Sequence, residues 1–77
     1  MRLTVKLWGP LAKYAGAGTA EFIVDVPAGT TVDALIGLLG VPAEYVLMAA
    51  VNGTKSERDR VLRDGDVVHV LPLVAGG

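Results

Sequence analysis

Cysteine is absent from these 77 residues, so neither a disulfide nor a thiolate metal ligand is available. Histidine occurs once, as His69, which rules out a Cys-His nucleophile pair or a zinc cage of several imidazoles within one chain. Aromatic residues make up only 5%, leaving Val, Leu, Ile and Ala to build the core. Neither sign of charge dominates: seven basic against eight acidic residues give a net charge of −1, without the basic footprint of a nucleic-acid binder. Long hydrophobic runs are also missing. The longest, residues 45–51, is far short of the ~20 residues that span a bilayer. The start, Met1-Arg2-Leu3-Thr4-Val5-Lys6-Leu7, alternates apolar with polar residues instead of forming the apolar block of a signal peptide. A soluble cytoplasmic protein is the expectation.

What the chain does have is apolar surface, 52% of its residues, in a length that suits one small domain whose stability must come from burial alone. So high an apolar share in so small a body also predicts that part of it stays outside for a partner.

The apolar period changes along the chain in an informative order. Leu3, Val5 and Leu7 share one face of a first strand that Gly9-Pro10 ends, and residues 11–15 suit a short helix with Gly16 as its left-handed exit. Ala20, Phe22, Val24 and Val26 alternate as a second strand, closed by Pro27-Ala28-Gly29. Val32, Leu35, Ile36 and Leu39 then fall at i, i+3, i+4 and i+7 of a helix, with Thr30 or Thr31 as its cap and Gly40-Val41-Pro42 as its stop. Gly37 inside that helix points to close packing on a sheet, since it lowers helix propensity by about 1 kcal/mol relative to Ala. Residues 47–51 form a third strand, Asn52-Gly53 a tight turn, and residues 54–60 a polar surface stretch before Val61-Leu62 tucks back. Arg63-Asp64-Gly65-Asp66 turns into a last strand, Val67-Val68-His69-Val70-Leu71.

Strand, strand, helix, strand, strand, with a right-handed crossover and the outer members of the sequence paired centrally, is an α+β β-grasp (ubiquitin-like) fold: a four-stranded mixed sheet with one main helix on one face. If Val68 and Val70 face the helix, Val67, His69 and Leu71 face the other side. There they either pack under residues 54–62 or continue with Leu73 and Val74 as an apolar strip. Pro72 has no N–H for a ladder and biases Leu71 towards an extended backbone. The strand is therefore expected to detach there, dividing the chain into a domain, 1–71, and a flexible tail, 72–77. Six extended residues reach roughly 20 Å. Gly76 and Gly77 carry no side chains, so the tail predicts an unhindered carboxylate on a backbone thin enough for another protein's active-site channel.

Asp64-Gly65-Asp66-Val67-Val68 and Pro72-Leu73-Val74-Ala75-Gly76-Gly77, with Ala49-Ala50-Val51-Asn52-Gly53 upstream, resemble the MoaD/ThiS family of sulfur carriers. The Leu7-Trp8-Gly9-Pro10-Leu11-Ala12-Lys13-Tyr14-Ala15-Gly16 insertion is most similar to the molybdopterin synthase small-subunit branch. The resemblance implies a carrier with no enzymatic activity of its own and no bound cofactor. A ubiquitin-activating-type adenylyltransferase would use ATP and Mg²⁺ to convert the Gly77 carboxylate into an acyl adenylate, and a sulfur donor would displace AMP to leave a thiocarboxylate. The molybdopterin synthase large subunit would bring the pterin precursor to it, completing a step of molybdenum or tungsten cofactor synthesis. Gly76 and Gly77 would carry the chemistry. Val67, His69, Leu71, Pro72, Leu73, Val74 and Ala75 would meet the partners, which in the family bind the open sheet face.

Other chemistry is thin. Asp64 and Asp66 flank a turn glycine and lack the further oxygen ligands a metal needs. Glu57, Arg58, Asp59, Arg60 and Arg63 read as a solvated loop, with a rim contact to an acidic partner as the alternative. Trp8 is either core or a shield for the 11–15 helix. A carrier for thiamine or another sulfur metabolite, a modifier joined to lysines through Gly77, and a β-grasp binding module remain as other readings.

Overall fold

The computed structural model describes residues 1–15 and 20–73. Its strands are β1 (Arg2–Leu7), β2 (Glu21–Asp25), β3 (Val46–Val51), β4 (Thr54–Ser56) and β5 (Val67–Pro72), and its helix is α1 (Val32–Leu38). They form one sheet in the order β2-β1-β5-β3-β4, with β1 and β5 parallel and the other pairs antiparallel. This is the β-grasp arrangement with one strand more than expected. β4 is three polar residues, too short and too uniform to show a period of two, and its register is set by the turn before it. Asn52 (φ 52°) and Gly53 (φ 86°) are both left-handed, as a two-residue hairpin turn of matching twist requires.

The core lies between the sheet and α1. Leu3, Val5 and Leu7 of β1, Val68 and Val70 of β5, and Ala49 and Val51 of β3 meet Val32, Leu35 and Ile36 of α1 there. Each large member contributes about 1.5–3 kcal/mol by leaving water. Of the predicted helical stripe, Leu39 is only half-buried and forms the C-cap.

All four leading N–H groups of α1 have partners, which explains where it starts. Val32 and Asp33 donate to the carbonyls of Arg60 and Arg58, Ala34 to Thr31 Oγ1 at 3.1 Å, and Leu35 to the Thr31 carbonyl. Thr30 takes no part in the cap; its hydroxyl donates to the Pro27 carbonyl. The segment after β4 therefore docks on the helix start, fixed by Leu62, which is buried, and by the Thr31–Val61 bridge. It does not cover the opposite face of the sheet.

Three local expectations change. A Cβ at Gly37 would meet nothing within 4 Å, so this glycine serves no close approach to the sheet. The segment Gly9–Ala15 is a 3₁₀ helix, longer and tighter than the helix expected over 11–15, while Gly16 lies outside the described residues. β5 does not detach at Pro72: it pairs with Val46 across a bulge at Leu47, and the Leu73 N–H donates to the Tyr45 carbonyl at 2.7 Å. A bulge is where a sheet tolerates a residue without an N–H. Among the described residues, no helix is long and apolar enough to cross a membrane.

Candidate functional site: the open sheet face and the tail root

Alternation places Arg2, Thr4 and Lys6 of β1 opposite the core, beside Val67, His69 and Leu71 of β5. Met48 and Ala50 of β3 continue this face as the partners of Leu71 and His69. Val67, His69 and Leu71 are half-buried, and Ile23 of β2, opposite Thr4, is 65% exposed. Val67, His69 and Leu71 thus lie on a sheet face that no helix among the described residues covers.

Trp8 completes that surface. It is not part of the core. It stands 41% exposed, its Nε1 donates to His69 Nδ1 at 3.0 Å, and Lys6 Nζ lies 4.2 Å from the centre of its ring. His69 Nδ1 is thus the acceptor of the Trp8 bond. The signal was present in the sequence: counting by twos from Lys6 puts Trp8 on the same side as Thr4 and Lys6.

Where β5 ends, the tail root is held from two directions. The Trp8 N–H donates to the Val70 carbonyl, and Gly9 (φ +55°) passes so close that a Cβ there would lie 3.2 Å from Pro72 Cγ. On the other side is the Leu73–Tyr45 hydrogen bond. Between them opens a pocket of about 230 Å³ lined by Pro10, Leu11, Lys13, Tyr14, Tyr45, Pro72 and Leu73. Nothing in the apolar pattern singled out Lys13, Tyr14 or Tyr45, since no strand or helix carries them all. Of the predicted partner-contacting residues, Val67, His69 and Leu71 lie on the open face, while Pro72 and Leu73 line the pocket. Val74, Ala75, Gly76 and Gly77 lie outside the described residues.

Three further charged groups, Asp64, Asp66 and Arg58, have structural partners. Asp64 Oδ1 accepts the Arg2 N–H at 2.6 Å. Asp66, 7% exposed, accepts from Asn52 Nδ2 at 2.9 Å and from the Arg63 N–H at 2.8 Å. Burial acts to raise its pKa, but the Arg63 N–H, the Asn52 amide and the charges of Arg60 and Arg63 outweigh it, so the carboxyl titrates below its ordinary value. Arg58 departs from the solvated-loop expectation: it reaches Asp33 Oδ1 and the Val46 carbonyl, both at 3.2 Å, and ties the loop to α1 and β3. Among the described residues, no three His, Cys, Asp or Glu side chains cluster as metal ligands would.

The ThiS family model matches residues 5–77. In solved structures the chain is similar to a Pyrococcus furiosus protein provisionally assigned as subunit 1 of molybdopterin converting factor: 30% identity over 96% of this chain and 99% of that one, TM-score 0.75. It is similar also to the protein–protein complex of subunits 1 and 2 of molybdopterin-converting factor from Helicobacter pylori, at 25% identity over the whole of both chains, TM-score 0.63. Small archaeal modifier protein 1 of Haloferax volcanii shares the fold, at 22% identity over 95% and 98% of the chains, TM-score 0.74. No curated protein matches the sequence.

Proposed function

Since the chain belongs to the ThiS family and is a sulfur carrier of the MoaD/ThiS type, we propose that Gly77 holds the sulfur and that molybdopterin synthesis is where it is delivered. The carrier is the co-substrate, and the catalytic groups belong to its partners. A free carboxylate resists nucleophiles because its charge repels them and oxide is a poor leaving group. In the proposed cycle, a Gly77 carboxylate oxygen attacks the α-phosphorus of ATP on a ubiquitin-activating-type adenylyltransferase, and pyrophosphate leaves with Mg²⁺. A sulfide-equivalent donor then attacks the carbonyl carbon, the bond to AMP breaks, and the thiocarboxylate remains.

This chain's own contribution is presentation. Residues 72–77 act as the tail, with Pro72 and Leu73 as its anchored root. Gly76 and Gly77 pass the constriction of the partner's channel, where any side chain would crowd the carbon under attack. Val67, His69, Leu71, Leu73, Val74 and Ala75 form the docking path for the adenylyltransferase and then for a molybdopterin synthase large subunit, in the cytoplasm. Complex formation of subunits 1 and 2 in the Helicobacter relative supports the second of these partners. The observation that carries the proposal is the family match, which runs to Gly77 itself.

Incubation with ATP, Mg²⁺, the adenylyltransferase and a sulfur donor, followed by intact-mass measurement, tests it. One oxygen replaced by sulfur at the C-terminal peptide is the expected product. A form carrying one bulky residue beyond Gly77 should gain none, and sulfur gain at the normal rate by that form refutes the role of Gly77. Lysine conjugates without thiocarboxylate would instead identify a modifier.

A further inference from the structure

The pocket beside the tail root has the size, lining and charge of a site for one particular kind of side chain. At about 230 Å³ it is smaller than the roughly 300–1,000 Å³ of small-molecule sites, so its natural occupant is a single residue and not a cofactor. Its lining includes Leu11, which is buried, and four ring-bearing residues, Pro10, Pro72, Tyr14 and Tyr45. Proline and phenol faces accept a planar ring better than a branched aliphatic group. Tyr45 (50% exposed) and Leu73 (56% exposed) would both leave water when the pocket is filled.

Charge narrows the occupant further. Among the described lining residues, Lys13 alone is charged at neutral pH; its Nζ is 5.3 Å from the centre of the Tyr14 ring, and the residue is exposed. An ammonium at the rim of an otherwise uncharged pocket favours a carboxylate beside the inserted ring.

Position links the pocket to the tail. Two walls, Pro72 and Leu73, are the last described residues before Val74, and the Leu73 N–H is bonded to Tyr45, a third wall. Whatever fills the pocket therefore touches Pro72 and Leu73, the root of the tail.

We propose that this pocket receives one aromatic side chain flanked by an acidic residue, presented by the adenylyltransferase that activates Gly77. The identity of that partner rests on the sulfur-carrier reading of Gly77; the chemistry of the occupant rests on the pocket alone. Seating the ring buries Tyr45 and Leu73 beside the tail root while the open sheet face makes the broader contact.

Two measurements test this. In the first, the isotope-labelled full chain is titrated with acetyl-Phe-Glu-amide, with acetyl-Phe-Lys-amide and acetyl-Ala-Glu-amide as controls, and amide shifts are followed. Saturable shifts at Leu11, Lys13, Tyr14, Tyr45 and Leu73 are expected. The Phe-Glu peptide should bind about threefold better than Phe-Lys, as an exposed ion pair allows, and Lys13→Glu should reverse that order. Absence of saturable shifts at these residues, or equal binding of the Ala-Glu peptide, overturns the occupant's chemistry.

In the second, dissociation constants for the adenylyltransferase are compared for wild type, Lys13→Glu and Tyr45→Ala, with circular dichroism and melting temperature confirming that each variant is folded. Lys13→Glu should weaken binding about threefold, as an exposed ion pair allows, and Tyr45→Ala about tenfold, the loss of an anchoring contact. If wild type is charged with sulfur but both variants bind like wild type, the pocket inference is wrong and the Gly77 reading survives. If the peptide seats as expected but wild type never acquires sulfur, the Gly77 reading and the named partner are wrong while the occupant's chemistry stands.

Discussion

Replacing Asn52 with alanine strikes the end of β5 farthest from the tail, where one side chain closes two turns at once. Its Nδ2 donates to Asp66 Oδ1 and its Oδ1 accepts the Val67 N–H, both at 2.9 Å, from a backbone at φ 52°. Alanine removes a bond to a carboxylate worth about 1.5–3 kcal/mol and a neutral one worth about 1 kcal/mol, and it adds about 1 kcal/mol of left-handed backbone strain. The expected loss is about 3–5 kcal/mol, a large part of the stability of so small a domain. Asn52→Gly loses the same hydrogen bonds without the strain and should therefore be about 1 kcal/mol more stable than Asn52→Ala. Urea unfolding measures both, as shifts in midpoint at constant slope. Acid adds a second reading. Asp66 titrates below 3.8 when folded, so its contribution is complete above that value and is lost as pH falls through the lower folded one. The gap between wild type and Asn52→Ala should thus be constant near neutrality and narrow below pH 3.8. Equal stability of the two variants refutes the strain argument, and a gap that widens in acid refutes the assignment to Asp66.

Gly37→Ala, which places a methyl group in open space on α1, should stabilise the fold by about 0.5–1 kcal/mol in the same urea assay. Gly9→Ala should do the opposite, since φ +55° strains any L side chain and its Cβ would press on Pro72 Cγ at 3.2 Å. A loss of about 1–2 kcal/mol, with the largest amide shifts at Pro72's neighbours Leu71 and Leu73, is the expected outcome. Hydrogen exchange should find the Val68 and Val70 amides opening only with global unfolding, whereas amides of the edge strand β2 exchange by local opening.

The parts of the fold that could be read from the sequence are those in which one face is buried. β1, β5 and α1 showed themselves because Leu3, Val5, Leu7, Val68, Val70, Val32, Leu35 and Ile36 all point into one core, and burial is what writes a period into a sequence. β4 was missed for the same reason: Thr54-Lys55-Ser56 is an edge strand with no residue in the core, held by its turn and its ladder. Gly37 was misread because a helical glycine admits both close packing and mere tolerance, and only the position of its neighbours decides. Pro72 was misread because proline's missing N–H forbids one bond but not a strand whose partner bulges at Leu47. As for the site, His69 was legible as a surface residue. Its bond to Trp8 was not, because it joins residues 61 apart in sequence, and the pocket was hidden because its walls come from three separate segments.

These misreadings share a consequence for the carrier. Had β5 ended at Leu71, the tail would swing from a frayed strand end, and its direction would be averaged over the slack of several residues. Instead β5 is paired on both sides, to β1 and β3, and its inward residues Val68 and Val70 are wholly buried, so opening it means opening the core. Pairing extends to Pro72, and the bond to Tyr45 carries the constraint one residue further, to Leu73. Four residues, 74–77, then separate this paired root from the Gly77 carbonyl proposed to take the sulfur, a span of about 13 Å at most. Entropy lost on entering a partner's channel grows with the number of backbone residues that must be ordered, at about 1–2 kcal/mol each. Anchoring Pro72 and Leu73 in advance removes two of the six residues from that loss. The bulge at Leu47, which lets a proline stay in the sheet, is therefore part of how this fold presents its end.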